Sequence, residues 1–257
     1  MARMLIWSLL LSLAINGSMF LVAYRLQSDK LTDVSYTVSF IVLAGFIFSQ
    51  SSGQSLHLLE LLLVCLWALR IGSFLLYRVI KNGKDQRFDG MRENFWKFGK
   101  FWIGQALAAW ILLLPAALAS QHAVPGVQAT AVIGAVIWLA GFALEATADL
   151  QKYRFSQQGA NKNKWIESGV WGSSRHPNYF GEIVVWIGLY VCAFQALSST
   201  GRIIGLMSPV FITSLLLFVS GIPILETSAD KRWGDNPGYR RYKKRTSILV
   251  PWLKRSA

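Results

Sequence analysis

The stretch Trp171–Trp186, WGSSRHPNYFGEIVVW, sets Arg175, His176, Pro177, Asn178 and Tyr179 directly against an apolar run. Pro177 disfavours helix at His176 and suits the first position of a helix. Asn178, Tyr179 and Glu182 then fall in the first turns of that helix. Backbone N–H groups at a helix start attract anions, and Arg175 adds a two-pronged donor beside them. Asn178 and Glu182 stand four apart on one face, an amide and a carboxylate suited to a planar carboxamide or a ribose. The plainer alternative is an interfacial helix start, with Tyr179 in an aromatic belt and Glu182 as a capping acid. Glu145 and Asp149, also four apart, close the preceding apolar run. Negative charge at a helix C-terminus opposes the helix dipole, so the pair calls for Lys152, Arg154 or a ligand donor.

Ionisable residues inside apolar runs are costly and by default mark function. Glu60, Trp67 and Arg70 share one helical face, and His57 precedes Glu60 by a turn. The functional reading is a polar wall of a substrate cavity, with Glu60 as a buried proton donor. The alternative is a structural carboxylate paired with Arg70 or His57. Asp33, just ahead of Val34, reads first as a helix N-cap and second as an acid of the site.

These residues need elements to hold them. Of 257 residues, 53% are hydrophobic and only 15% charged, well below the share of charge in soluble domains. Seven runs are long enough to span a bilayer: Met4–Tyr24, Val34–Gln50, Ser55–Ile80, Phe101–Gln121, Thr130–Leu150, Tyr179–Leu197 and Ile203–Leu225. Placed on alternating sides, the loops divide the cations unevenly. One side carries Arg3 and Arg202 alone, and the other carries 22 of the 26 Lys and Arg. Positive charge gathers on the cytoplasmic side, which puts the N-terminus outside and the C-terminus in the cytoplasm. The same rule accounts for the net charge of +13 without nucleic acid. The expectation is one all-α integral-membrane domain over residues 1–257. Cytoplasmic loops fall at 81–100 and 151–178, a cytoplasmic tail covers 227–257, and a cofactor site lies between helices on that side. Cys65 and Cys192 sit in apolar runs and offer neither a disulfide framework nor metal-ligand spacing.

The 151–178 loop carries Lys152, Arg154, Lys162, Lys164 and Arg175. The tail carries Lys231, Arg232, Arg240, Arg241, Lys243, Lys244 and Arg245, with Trp233, Tyr239 and Tyr242 among them. Such cations hold anionic lipid or clamp nucleotide phosphates. The interleaved aromatics favour a packed lid. Neither a phosphate loop nor a glycine fingerprint is present, so a nucleotide would be held by side chains from helix ends and loops.

Three segments, WGSSRHPNYFGE, GFALEATADLQKYRF and GYRRYKKRTSILVPW, resemble the bacterial integral-membrane branch of the steroid 5α-reductase family. The likeness runs from Asp33 to Trp252 and is most specific in the last 120 or so residues. It implies NADPH-dependent reduction of a conjugated carbon–carbon double bond in a lipophilic substrate, steroid- or prenyl-like, drawn from the bilayer of a bacterial inner membrane. On that likeness Asn178 and Glu182 match the family's Asn-x-x-x-Glu at the nicotinamide. Glu145 and Asp149 match positions lining the cofactor, and Lys164 a phosphate contact. Trp171, Arg175, His176 and Tyr179 surround the turn, and Arg232, Tyr239 and Tyr242 cover the nucleotide. The family's steroid-facing tyrosine falls near Trp67 and its glutamate near Asp33, which leaves Glu60 or Asp33 to polarise the substrate and Trp67 and Arg70 to line its cavity. Isoprenylcysteine and phospholipid methyltransferases share Arg175, His176, Pro177, Tyr179 and Gly181 and use S-adenosylmethionine. They carry Glu-Glu before the tail, where this chain has Glu226 and Thr227.

Overall fold

The computed structural model describes residues 1–82, 88–124, 126 and 128–252. Eleven α-helices follow one another among these residues. They are α1 (Ala2–Arg25), α2 (Lys30–Ser49), α3 (Ser55–Asn82), α4 (Phe95–Leu112), α5 (Leu114–Ala119) and α6 (Ala129–Gln157), then α7 (Pro177–Ala193), α8 (Ser199–Gly205), α9 (Met207–Ser214), α10 (Ile222–Trp233) and α11 (Pro237–Arg245). No strand occurs among the described residues, and one isolated bridge joins Ser174 to Ser247. Six helices or helical runs are long and apolar enough to cross a membrane, the architecture of a multi-pass integral membrane protein.

Five of the seven expected spans appear as long single helices. The expected Phe101–Gln121 span is instead two helices, α4 and α5, parted at Leu113 just before Pro115. Proline lacks the N–H that would continue the ladder and suits a helix start. The last span, Ser199–Trp233, is also segmented, with a π-turn at Leu215–Val219 and a new start at Ile222–Pro223. Two expectations are corrected. Asp33 is not an N-cap: α2 begins at Lys30, Asp29 holds the cap position and Asp33 lies in the first turn. Glu145 and Asp149 do not end their helix, because α6 continues to Gln157. The helix-dipole argument for a compensating partner therefore lapses, since that effect fades within a turn of the end.

The chain forms two compact units: Met1–Gly134 with Leu189–Ser208, and Ala135–Gly188 with the chain from Pro209 onward. In the first, α1 turns its polar residues inward. Ser8, Ser12 and Asn16 are buried while Ile6, Trp7, Leu10, Leu21 and Val22 are exposed, the pattern of a lipid-facing helix. Asn16 donates to Ser39 (2.9 Å) and accepts from Ser35 (3.0 Å) and Gln105 (3.0 Å), tying α1, α2 and α4 together. Phe20, Phe98 and Trp102 pack beside this seam. Arg92 donates to buried Asp29 at 2.8 Å, pinning the turn before α4 to the start of α2.

In the second unit α6 and α7 cross at backbone contact. A Cβ on Gly141 would stand 2.7 Å from the Gly181 carbonyl, and one on Gly181 would stand 2.7 Å from the Glu145 nitrogen. Small residues permit such close crossings. This one brings the Glu145 turn of α6 against the first turns of α7.

Candidate functional site

Residues 173–176 form the turn into α7, and the tail fixes it. Arg175 N–H donates to the Ser247 carbonyl (2.8 Å) and Ser174 Oγ to the Leu249 carbonyl (2.7 Å). Pro177 is the first residue of α7, as its chemistry dictates. Tyr242 Oη donates to the Trp171 carbonyl at 2.9 Å, and Trp171 Nε1 donates to the Ala148 carbonyl at 3.0 Å. The aromatic tail is thus a packed cover, with Tyr239 and Tyr242 buried on α11.

One carboxylate gathers the cations of this turn. Arg175 contacts Glu226 through Nε (3.2 Å) and a terminal nitrogen (3.0 Å), and donates also to the Lys243 carbonyl (2.9 Å). His176 Nε2 lies 2.9 Å from Glu226 Oε1, and Lys243 Nζ lies 3.1 Å from Oε2 and 2.7 Å from Asp230. The fork expected to receive a ligand anion is therefore engaged by Glu226. Burial holds the His176 imidazole below its ordinary value, against the pull of Glu226 and with Lys152 and Arg175 repelling a further charge. A neutral ring donating through Nε2 leaves Nδ1 as an acceptor, and that buried atom has no partner among the described residues. Burial likewise pushes the Tyr242 hydroxyl up, so it stays a donor.

Beside this hub lies a cavity of about 460 Å³, wholly within the second unit. Among the described residues five cations reach it: Lys152, Lys162, Lys164, Arg175 and Arg232. Trp165, Trp171, Trp233 and Tyr239 supply aromatic walls, and Glu226 is the one acid that the described residues place in its lining. Trp165, Trp233 and Tyr239 meet one another edge-on or tilted, with centroids 5.4 to 6.3 Å apart. Asn163, in a left-handed conformation at φ 65°, ties its loop to the end of α10. It accepts from Trp233 Nε1 and from Arg232, both at 2.7 Å. The size suits a ligand pocket, and the lining suits a planar anion.

Of the expected cofactor residues, Lys164, Trp171, Arg175, His176, Arg232, Tyr239 and Tyr242 line this cavity. Glu145, Asp149, Asn178, Tyr179 and Glu182 do not line it and gather instead around the α6–α7 crossing. Asn178 Nδ2 donates to Asp149 Oδ1 at 3.2 Å, and Tyr179 stacks on His176 with centroids 5.7 Å apart. Asp33, Glu60, Trp67 and Arg70 all belong to the first unit. Trp67 is fully buried against Tyr36 and Phe40. Glu60 adjoins a void of about 10 Å³, room for a water and nothing larger.

Glu226, Lys243 and Trp165 enter the site without having been singled out for it. Glu226 and Asp230 stand four apart on α10, and an acidic pair at that spacing beside a basic tail is the signal in the sequence that marks them.

No curated protein and no solved structure matches the chain. Residues 19–246 match the profile of one family, described as Protein of unknown function (DUF1295). That match covers most of the chain, which therefore belongs to the DUF1295 family.

Proposed function

We propose that the protein is a membrane-embedded NADPH-dependent reductase of a conjugated carbon–carbon double bond in a lipophilic, steroid- or prenyl-like substrate. The observation that carries this reading is the cavity in which five cations and six Phe, Trp and Tyr rings surround about 460 Å³. Its donor set fits the nucleotide half of the cofactor: Lys162, Lys164, Lys152 and Arg232 toward phosphates, and Trp165, Trp171, Trp233 and Tyr239 toward the flat base. Asn178, Asp149, Glu145 and Glu182 around the α6–α7 crossing offer amide and carboxylate groups for the carboxamide end. NADPH, when bound, supplies a hydride. The chain's part is to hold the reactants in register, exclude water and provide a proton from an acid, half-buried Asp33 or buried Glu60. The space beside Glu60 admits only a water, so Glu60 would act through that water. The charge count favours a cytoplasmic cofactor site and an external N-terminus. The resemblance to steroid reductases favours a bacterial inner membrane.

A second reading, S-adenosylmethionine-dependent methyl transfer to a lipid or isoprenylcysteine-type substrate, has one observation in its favour. Glu226 stands where those enzymes carry Glu-Glu, and it bonds to both Arg175 and His176 of the shared motif. Against it, Glu226 already serves Arg175, His176 and Lys243, which leaves a cationic site for a cationic ligand.

The test is NADPH binding to a Lys162→Gln/Lys164→Gln double variant. Both side chains are solvent-exposed, so folding should survive. Losing one or two phosphate contacts should weaken binding by roughly tenfold or more. Unchanged affinity sinks the phosphate assignment.

A further inference from the structure

Two buried polar atoms in the first unit have no hydrogen-bond partner among the described residues, and both belong to side chains that line one void. His57 and Glu60 sit one turn apart near the start of α3, at 2% and 3% exposure. The orphaned atoms are His57 Nδ1 and Glu60 Oε1. Both residues line the void of about 10 Å³, whose remaining wall is apolar side chains of α2, α3, Leu113 and Ala116. A polar void of that size is what a single water requires.

The ring's other nitrogen fixes the chemistry. His57 Nε2 lies 3.3 Å from the Ala119 carbonyl. A carbonyl only accepts, so Nε2 carries the proton and Nδ1 offers a lone pair. Among the described residues no cation lines the void. With no lining cation to balance a carboxylate, the neutral acid is the form that this apolar setting favours.

We infer that one water bridges Glu60 Oε1 and His57 Nδ1 and completes a proton-holding relay, running from Glu60 through the water and His57 to the Ala119 carbonyl. The Glu60 hydroxyl donates to the water, and the water donates to Nδ1. In transfer, Glu60 gives its proton to the water as the water passes one of its own to Nδ1. A carboxylate and an imidazolium then stand one water apart, and the Ala119 carbonyl holds the Nε2 proton. Reversal restores the neutral pair, so nothing is consumed. Chains of carboxyl, imidazole and water inside a bilayer are how membrane proteins store and move protons. The relay is independent of which cofactor the second unit binds.

The experiment is infrared spectroscopy of the full chain in lipid nanodiscs at neutral pH. The expected result is a carbonyl stretch from a protonated carboxylic acid that shifts in D2O and disappears in Glu60→Gln. In His57→Phe the band should remain and move to higher frequency, because the water loses its acceptor. Absence of any band sensitive to Glu60→Gln would overturn the proposal, as would a band whose frequency His57→Phe leaves unmoved. Should Glu60→Gln not fold, 15N-histidine NMR of the wild type decides: Nδ1 resonating as a hydrogen-bonded acceptor supports the bridge, and a bare lone pair contradicts it.

Discussion

Arg175 directs its guanidinium at Glu226, and through that one carboxylate the turn before α7, helix α10 and helix α11 are joined. Removing it takes the carboxylate from a largely buried Arg175 and leaves Lys243 with Asp230 alone. Glu226→Ala should therefore lower stability by about 3 kcal/mol, as breaking one partner of a buried pair does, and a thermal melt in detergent reads the loss. His176 adds a pH signature. Its folded value lies below the ordinary 6.5, so the unfolded chain takes up a proton first as pH falls. Its contribution is complete above 6.5 and declines below it. The melting temperature should fall from about pH 7 to about pH 5, and His176→Gln should flatten that slope. A slope that the substitution leaves unchanged assigns the effect elsewhere. Asn178 tests the other end of the site. Asn178→Ala removes the hydrogen bond to Asp149 and should weaken NADPH binding about tenfold, the value of one good polar contact.

At the scale of elements, the α6–α7 crossing positions most of these groups. Gly181→Leu would drive a branched side chain into the Glu145 backbone. It should destabilise by about 3 kcal/mol or prevent folding. Gly17→Leu, on a helix face open to within 4 Å, should have little effect in the same melt. Helix existence was legible because an uncharged run of about 20 apolar residues matches the thickness of a bilayer and suits little else. Helix interruption was less so. Pro115 parts α4 from α5, and a π-turn interrupts the last span, both within runs whose hydropathy is continuous. Residues that touch through tertiary structure were legible only where one motif held them. Arg175, His176 and Asn178 lie together in sequence, whereas Glu226 reaches Arg175 and His176 from about fifty residues away. Hydropathy reads it merely as the polar end of a span.

The whole molecule, as far as the described residues show, places five cations and the Trp165, Trp233 and Tyr239 rings around one cavity of the second unit, and the buried His57 and Glu60 beside a small void of the first. The central claim is that the cavity takes NADPH, and a ligand that binds only the folded state raises the melting temperature. Thermal unfolding of the detergent-purified full chain should shift upward with NADPH in a saturable manner and stay unmoved by S-adenosylmethionine. Stabilisation by S-adenosylmethionine without any by NADPH would contradict that claim.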